Sequence, residues 1–190
     1  MLNFTKVEVE LKKDVVYDKI LNGSIFIHPT DTIYGLGCDA TSQKSVQKLR
    51  EIKQENSRAF PIIAPTKTWI RENCVVDKKT IEWLTKLPGP YTLILKLKNS
   101  KAIAPEVNNG MDTIAVRIPD HWIHNFCEEF GKPIITTAAN KVGENFMVSL
   151  ETLSTDIKGK IDFIIYEGEK NGSPSSIIDL TQDKENIKKR

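Results

Sequence analysis

Ile25-Phe-Ile-His-Pro-Thr-Asp-Thr-Ile-Tyr-Gly-Leu-Gly37 is the stretch on which the fold turns. Ile25, Phe26 and Ile27 are an apolar run that reads as a buried strand. Pro29 cannot donate to a ladder, so the strand stops there or becomes an edge. Four side chains able to hydrogen-bond follow at once: Thr30, Asp31, Thr32 and Tyr34. Gly35 and Gly37 bracket Leu36, so backbone can approach a ligand closely or adopt positive φ. A strand end that empties into hydroxyls and glycines is where α/β proteins place their sites. An ordinary glycine turn has the same local spelling, so this stretch by itself leaves both readings open.

Around it the chain alternates strand and helix patterns. Leu11, Val15, Val16 and Ile20 recur at helical spacing, and Asn22-Gly23 closes that helix. Thr41 or Ser42 caps a helix carrying Val46, Leu49 and Ile52 on one face. Its last turn holds Lys48, Arg50 and Lys53, a cluster that complementation of the helix dipole would explain. Pro61-Ile-Ile-Ala-Pro65 reads as a short buried strand, and weaker helices are predicted around Trp69–Glu72 and Lys79–Lys86. Tyr91–Leu97 and Thr113–Ile118 are strands, followed by an amphipathic helix through Ile123, Phe126, Cys127 and Phe130 that Gly131 ends. Pro133–Thr137 is a strand opening into Ala138-Ala-Asn140. Ser149 caps a short helix to Ile157, and Asp162–Tyr166 and Ser176–Asp179 are the last strands. The tail from Gln182 is charged and expected to fray. The irregular alternation, with neighbouring strands late in the chain, argues for one α/β domain on a mixed sheet.

The 190 residues fit one domain, and 39% apolar with 27% charged residues is ordinary for a globular chain with a real core. A net charge of +2 gives no general case for a nucleic-acid binder. The three cysteines, Cys38, Cys74 and Cys127, are far apart and form no CxxC or Cys/His cluster, which argues against a metal or a disulfide framework. The N-terminus lacks the apolar core of a secretory signal, and no run approaches the ~20 apolar residues that span a bilayer. A cytoplasmic protein with reduced thiols and no membrane association is expected.

For chemistry, GxxxxGK[ST], GxGxxG and GxSxG are all absent. His121 and His124 flank Trp122 on a helix and read as packing or surface residues. What remains is a repeated pattern: short apolar strands ending in hydroxyl or basic residues, at Thr30–Thr32, Arg117, Thr136-Thr137 and Ser173–Ser176. Such strand ends suit a small polar ligand with a carboxylate or phosphate, which arginine binds bidentately while hydroxyls fill the remaining lone pairs.

Six segments then carry a resemblance. They are Pro29-Thr-Asp-Thr-Ile-Tyr-Gly-Leu-Gly37, Lys53, Pro88-Gly-Pro-Tyr-Thr92, Asp112-Thr-Ile-Ala-Val-Arg-Ile-Pro119, Thr136-Thr-Ala-Ala-Asn140 and Pro174-Ser-Ser-Ile-Ile-Asp179. In this order they resemble the motifs of the YrdC/TsaC family of threonylcarbamoyl-AMP synthases. The resemblance implies a single YrdC/RibB-like domain over residues 1–190, with its core at about 10–180 and a charged tail at 182–190. It implies a twisted mixed sheet flanked by helices around a concave basic pocket. It also implies formation of L-threonylcarbamoyl-AMP and pyrophosphate from L-threonine, bicarbonate and ATP, with Mg²⁺ on the nucleotide and no metal ligand from the protein. The product would pass to a separate transferase acting on tRNA.

Carried over by motif, Lys53 would act on the phosphates. Thr30, Thr32, Tyr34, Arg117, Thr137 and Ser175 would contact threonine, and Thr113 and Asn140 the nucleotide. The family's K-x-R reads Lys53-Gln-Glu55 here, an acid where an arginine is usual, and reversing a charge beside a triphosphate is costly. Arg58 is the candidate replacement, reaching the same phosphates through a rearranged loop. Ala138 replaces the serine of S-A-N, with Thr137 beside it to supply a hydroxyl. Ile63-Ala-Pro65 lacks a family histidine. These departures keep open a second reading, a paralogue that binds nucleotide, or double-stranded RNA or tRNA, without turnover. Lys48, Arg50, Lys53 and Arg58 would then supply the basic patch. Carbamoyl-adenylate chemistry, as in the related domain of hydrogenase-maturation proteins, is disfavoured because that domain comes fused to others.

Overall fold

The computed structural model describes residues 2–182 and 186–189. It opens with a strand that periodicity does not announce, β1 (Leu2–Phe4), and a short helix, α1 (Lys6–Leu11). Thr5 and Glu8 close a capping box on α1, the Thr5 hydroxyl accepting from the Glu8 amide and the Glu8 carboxylate from the Thr5 amide. Lys12 then breaks the helical phase before α2 (Lys13–Leu21). The expected single face of Leu11, Val15, Val16 and Ile20 is therefore wrong. Val16 and Ile20 are buried, whereas Leu11 and Val15 are exposed.

The deciding stretch forms β2 (Phe26–His28) and β3 (Gly35–Gly37), an antiparallel pair joined by the polar turn. Ser42 caps α3 (Gln43–Lys53), which buries Val46, Leu49 and Ile52. Each such burial is worth roughly 1.5–3 kcal/mol. Then come β4 (Ile62–Ile63), α4 (Lys67–Asn73), α5 (Lys78–Thr85), β5 (Tyr91–Lys96), β6 (Thr113–Arg117) and α6 (Trp122–Phe130). Gly131, at φ 75°, ends α6 in the left-handed conformation that glycine adopts without strain. The chain finishes through β7 (Ile134–Ile135), β8 (Thr137–Ala138), α7 (Thr155–Lys158), β9 (Phe163–Ile165), β10 (Ser176–Asp179) and β11 (Asn186–Lys188).

Two expectations fail near the end. The helix from Ser149 is only the four-residue α7, because Thr152 turns its hydroxyl back onto the amides of Val148 and Ser149. The tail does not simply fray: Asn186–Lys188 pairs antiparallel with β10, while 183–185 and 190 lie outside the described residues.

The mixed character is as expected, but the strands divide between two sheets. One has the order β1-β9-β2-β3-β8 and the other β11-β10-β5-β6-β4-β7. The chain crosses from the second to the first at Thr136, between β7 and β8. The sheets abut there, the Ile135 amide donating to the Cys38 carbonyl at 3.0 Å. One apolar core joins them, packing Ile27 and Leu36 of the first sheet with Ile62, Leu93 and Val116 of the second.

Candidate functional site

Where β3 and β8 of one sheet meet β4 and β6 of the other, their ends enclose a cavity of about 330 Å³. Thr30, Tyr34, Lys53, Arg58, Arg117, Thr137, Asn140 and Ser175 all border it. These residues span more than a hundred positions of sequence, so the crossing of the two sheets is what gathers them. Thr32 and Thr113 do not border it. Thr32 lies one residue behind, accepting from the Arg117 guanidinium at 3.4 Å. Thr113 sits at the far end of β6 from Arg117, where its carbonyl accepts from Asn108 at 2.9 Å.

Arg117 closes β6 and is buried. Its Nη2 donates to the Asp31 carboxylate at 2.5 Å, and the other Asp31 oxygen accepts from the Asp120 amide at 3.0 Å. A buried guanidinium needs such a counter-charge, and the pairing fixes its plane against the turn. The Thr30 hydroxyl donates to the Ile33 carbonyl at 2.7 Å and accepts from the Thr32 amide at 3.1 Å, locking the same turn.

Lys53 enters from the last turn of α3 and is almost wholly buried. Its Nζ donates to the carbonyls of Ala138 at 2.7 Å and Asn140 at 2.6 Å, and to Asn140 Oδ1 at 3.2 Å. Burial pushes its pKa down to about 8, partly offset by the Glu55 charge. It is thus largely a cation at neutral pH. Glu55, standing where the resemblance expects an arginine, also borders the cavity. Its Oε1 accepts from the Ser57 hydroxyl, the Ser57 amide and the Arg58 amide at 2.7, 2.8 and 3.0 Å, and these donors hold its pKa near 2. The carboxylate therefore shapes the loop that carries Arg58, whose exposed side chain comes to 3.6 Å from Glu55 Oε2.

The basic patch suggested for RNA is not one face. Arg50 is buried and donates to the carbonyls of Glu55, Arg58, Glu106 and Val107. Lys48 pairs instead with Asp162, just before β9. His121 and His124 have the packing roles expected: the first caps α6, and the second contacts the Pro65 carbonyl at 3.0 Å.

Tyr34 borders the cavity, but its hydroxyl is committed elsewhere, donating to the Gly168 carbonyl at 2.6 Å and accepting from the Glu167 amide at 3.1 Å. Sequence reasoning missed three contributors. Asp31 balances Arg117, and Thr92 shares a buried 2.7 Å hydrogen bond with Ser175. Phe146, from the segment after Asn140, adds an aromatic wall. Thr92 lay inside a quoted motif, where a threonine at a strand start was the available signal. Phe146 had none.

A family model for Sua5, YciO and YrdC, described as telomere recombination, matches residues 18–190. Among solved structures, P. abyssi Sua5 complexed with L-threonine is 30% identical, with a TM-score of 0.86 over 98% of this chain. A doubly substituted P. abyssi Sua5 is 28% identical with a TM-score of 0.88 over the same share. This chain spans 56% of the length of those Sua5 chains. E. coli YciO shares the fold at 22% identity, with a TM-score of 0.84 over 98% of this chain and 92% of its own.

Proposed function

Since the chain belongs to the Sua5/YciO/YrdC family, we propose that it is an L-threonylcarbamoyladenylate synthase, serving threonylcarbamoyladenosine formation in tRNA through a separate transferase. The observation that carries this reading is that Lys53 and Arg117, from distant segments, border one cavity whose walls include the hydroxyl-bearing strand ends at Thr30, Thr137 and Ser175. The threonine complex of P. abyssi Sua5 supports an amino acid as one ligand.

In this reading the carboxylate of threonine lies against the Arg117 guanidinium, oriented by Asp31, with Thr137 and Ser175 as hydroxyl partners. The amine nitrogen, after losing a proton, bonds to the carbon of CO₂ drawn from bicarbonate, whose hydroxide leaves with a proton as water. A carbamate oxygen then attacks the α-phosphorus of ATP. The bond from that phosphorus to the bridging oxygen breaks, and pyrophosphate departs. Two anions must meet, so the protein contributes position and compensating charge rather than a nucleophile.

Lys53 and Arg58 are the cations for the phosphates. Lys53 would give up one of its carbonyl partners for a phosphate oxygen, and Arg58 would swing in from solvent. Magnesium, when bound with ATP, would neutralise phosphate charge. Among the described residues no group of three or more His, Cys, Asp or Glu could hold a metal ion.

The test is incubation with ATP, Mg²⁺, bicarbonate and L-threonine, with mass detection of the adenylate. Pyrophosphate release dependent on both threonine and bicarbonate is expected. Glu55 on the cavity wall and the internal satisfaction of Lys53 favour one second reading, a nucleotide-binding paralogue without turnover. ATP retention with no adenylate would select it.

A further inference from the structure

A strap of chain, residues 166–175, runs from the end of β9 across the outside of the Thr30–Tyr34 turn and delivers Pro174 and Ser175 to the cavity. Its contacts with that turn are close. Tyr166 stacks on Tyr34 at 5.7 Å between ring centroids. Gly172 lies so near the Thr32 backbone that a Cβ there would come within 2.2 Å of the Thr32 carbonyl oxygen. The Tyr34 hydroxyl is stapled to the strap twice, through the Gly168 carbonyl and the Glu167 amide.

The Glu167 side chain ties this strap to α6, beside the anchors where the Lys170 amide donates to the Val148 carbonyl at 2.9 Å and Ser175 bonds Thr92. Glu167 Oε1 accepts from His121 Nε2 at 2.8 Å and pairs with Lys170 Nζ at 2.6 Å, while Oε2 accepts from Trp122 Nε1 at 2.7 Å. His121 Nδ1 accepts from the Ile123 amide as the cap of α6, so the proton sits on Nε2 and is donated to Glu167. His121 and Lys170 are both largely shielded from solvent, which strengthens their bonds to a charged acceptor. None of these four residues borders the cavity.

We infer that Glu167 is a positioning residue for the amino-acid subsite, clasping the strap to α6 so that Tyr34, Thr32 and Ser175 hold their places around Arg117. This rests on the reading of the cavity as a threonine site. It acts at one remove, through Tyr34 and the strap, and requires no contact with ligand. A Gln at 167 keeps the shape but meets one donor with another and removes the charge opposite Lys170.

The experiment compares wild type, Glu167→Gln, Trp122→Phe, Tyr34→Phe and the Glu167→Gln/Tyr34→Phe double variant. Amide exchange is followed peptide by peptide, and L-threonine binding by calorimetry. Expected in Glu167→Gln are exchange accelerated about tenfold within 166–175 only and threonine binding weakened roughly tenfold, with thermal unfolding little moved. Trp122→Phe, a milder lesion that keeps an aromatic ring, should shift both in the same direction. Because both substitutions work through one strap, the double variant should bind threonine about as well as the weaker single variant. Unchanged exchange in the strap, loosening without loss of threonine binding, or fully multiplicative losses would each overturn the inference. A wild-type protein that binds no threonine would instead defeat the functional reading, and the exchange data would still decide the clasp.

Discussion

At Glu55 a charge that looks adverse in the sequence has a structural role. Its carboxylate gathers the amides of Ser57 and Arg58 into the loop from which Arg58 projects. On the proposed function, with Arg58 projecting from that loop onto the phosphates, Arg58→Ala should abolish ATP binding while leaving threonine binding near wild type. Nucleotide binding measured separately from threonine binding checks this, and normal ATP affinity would remove Arg58 from the site. His28 makes a different prediction. Its ring is fully buried, and burial, with some repulsion from Arg117 and His121, pushes its pKa down to about 4. The unfolded chain takes up a proton near pH 6.5, the folded one only near 4. Its contribution is complete above pH 6.5 and is lost as pH falls from 6.5 to 4, on the order of 3 kcal/mol. Denaturant titrations across that window should show the loss, and His28→Gln should flatten it.

The elements show why glycine is needed twice in β3. Neither Gly35 nor Gly37 has positive φ, and the close approach their bare backbone permits is to neighbouring protein atoms, where the sequence suggested a ligand. A Cβ on Gly37 would lie 2.5 Å from the Ile135 carbonyl oxygen in β7, and one on Gly35 2.8 Å from the His28 ring and the Thr136 hydroxyl. The neighbour at Gly37 is backbone and cannot rotate away. Gly37→Ala should cost about 1–3 kcal/mol, seen as a lowered denaturation midpoint with an unchanged slope. Wild-type stability in that variant would show that the sheets part easily. Helix starts were legible where a cap stood before an apolar stripe, as Ser42 does before α3. They were not legible at Lys12, where no proline or glycine marks the break between α1 and α2.

Across the whole molecule, the two sheets share their interior. Both apolar clusters mix residues of each sheet, the smaller one joining Phe26 and Phe163 to Ile63 and Ile134. Unfolding should accordingly be a single transition, with far-ultraviolet dichroism and tryptophan fluorescence coincident in denaturant. Two separated midpoints would mean that the sheets fold independently. The sequence by itself determined the α/β class, most strands and helices, and the residues with chemistry at strand ends, because apolar period, caps and turn residues are local properties. It also carried the family, through motifs kept in order along the chain. Only the tertiary structure decided that the strands split into two sheets, that Asp31 neutralises Arg117, and that Lys53 spends its donors on the loop at Asn140. Each of these depends on partners tens of residues apart, and no local pattern encodes the distance between them.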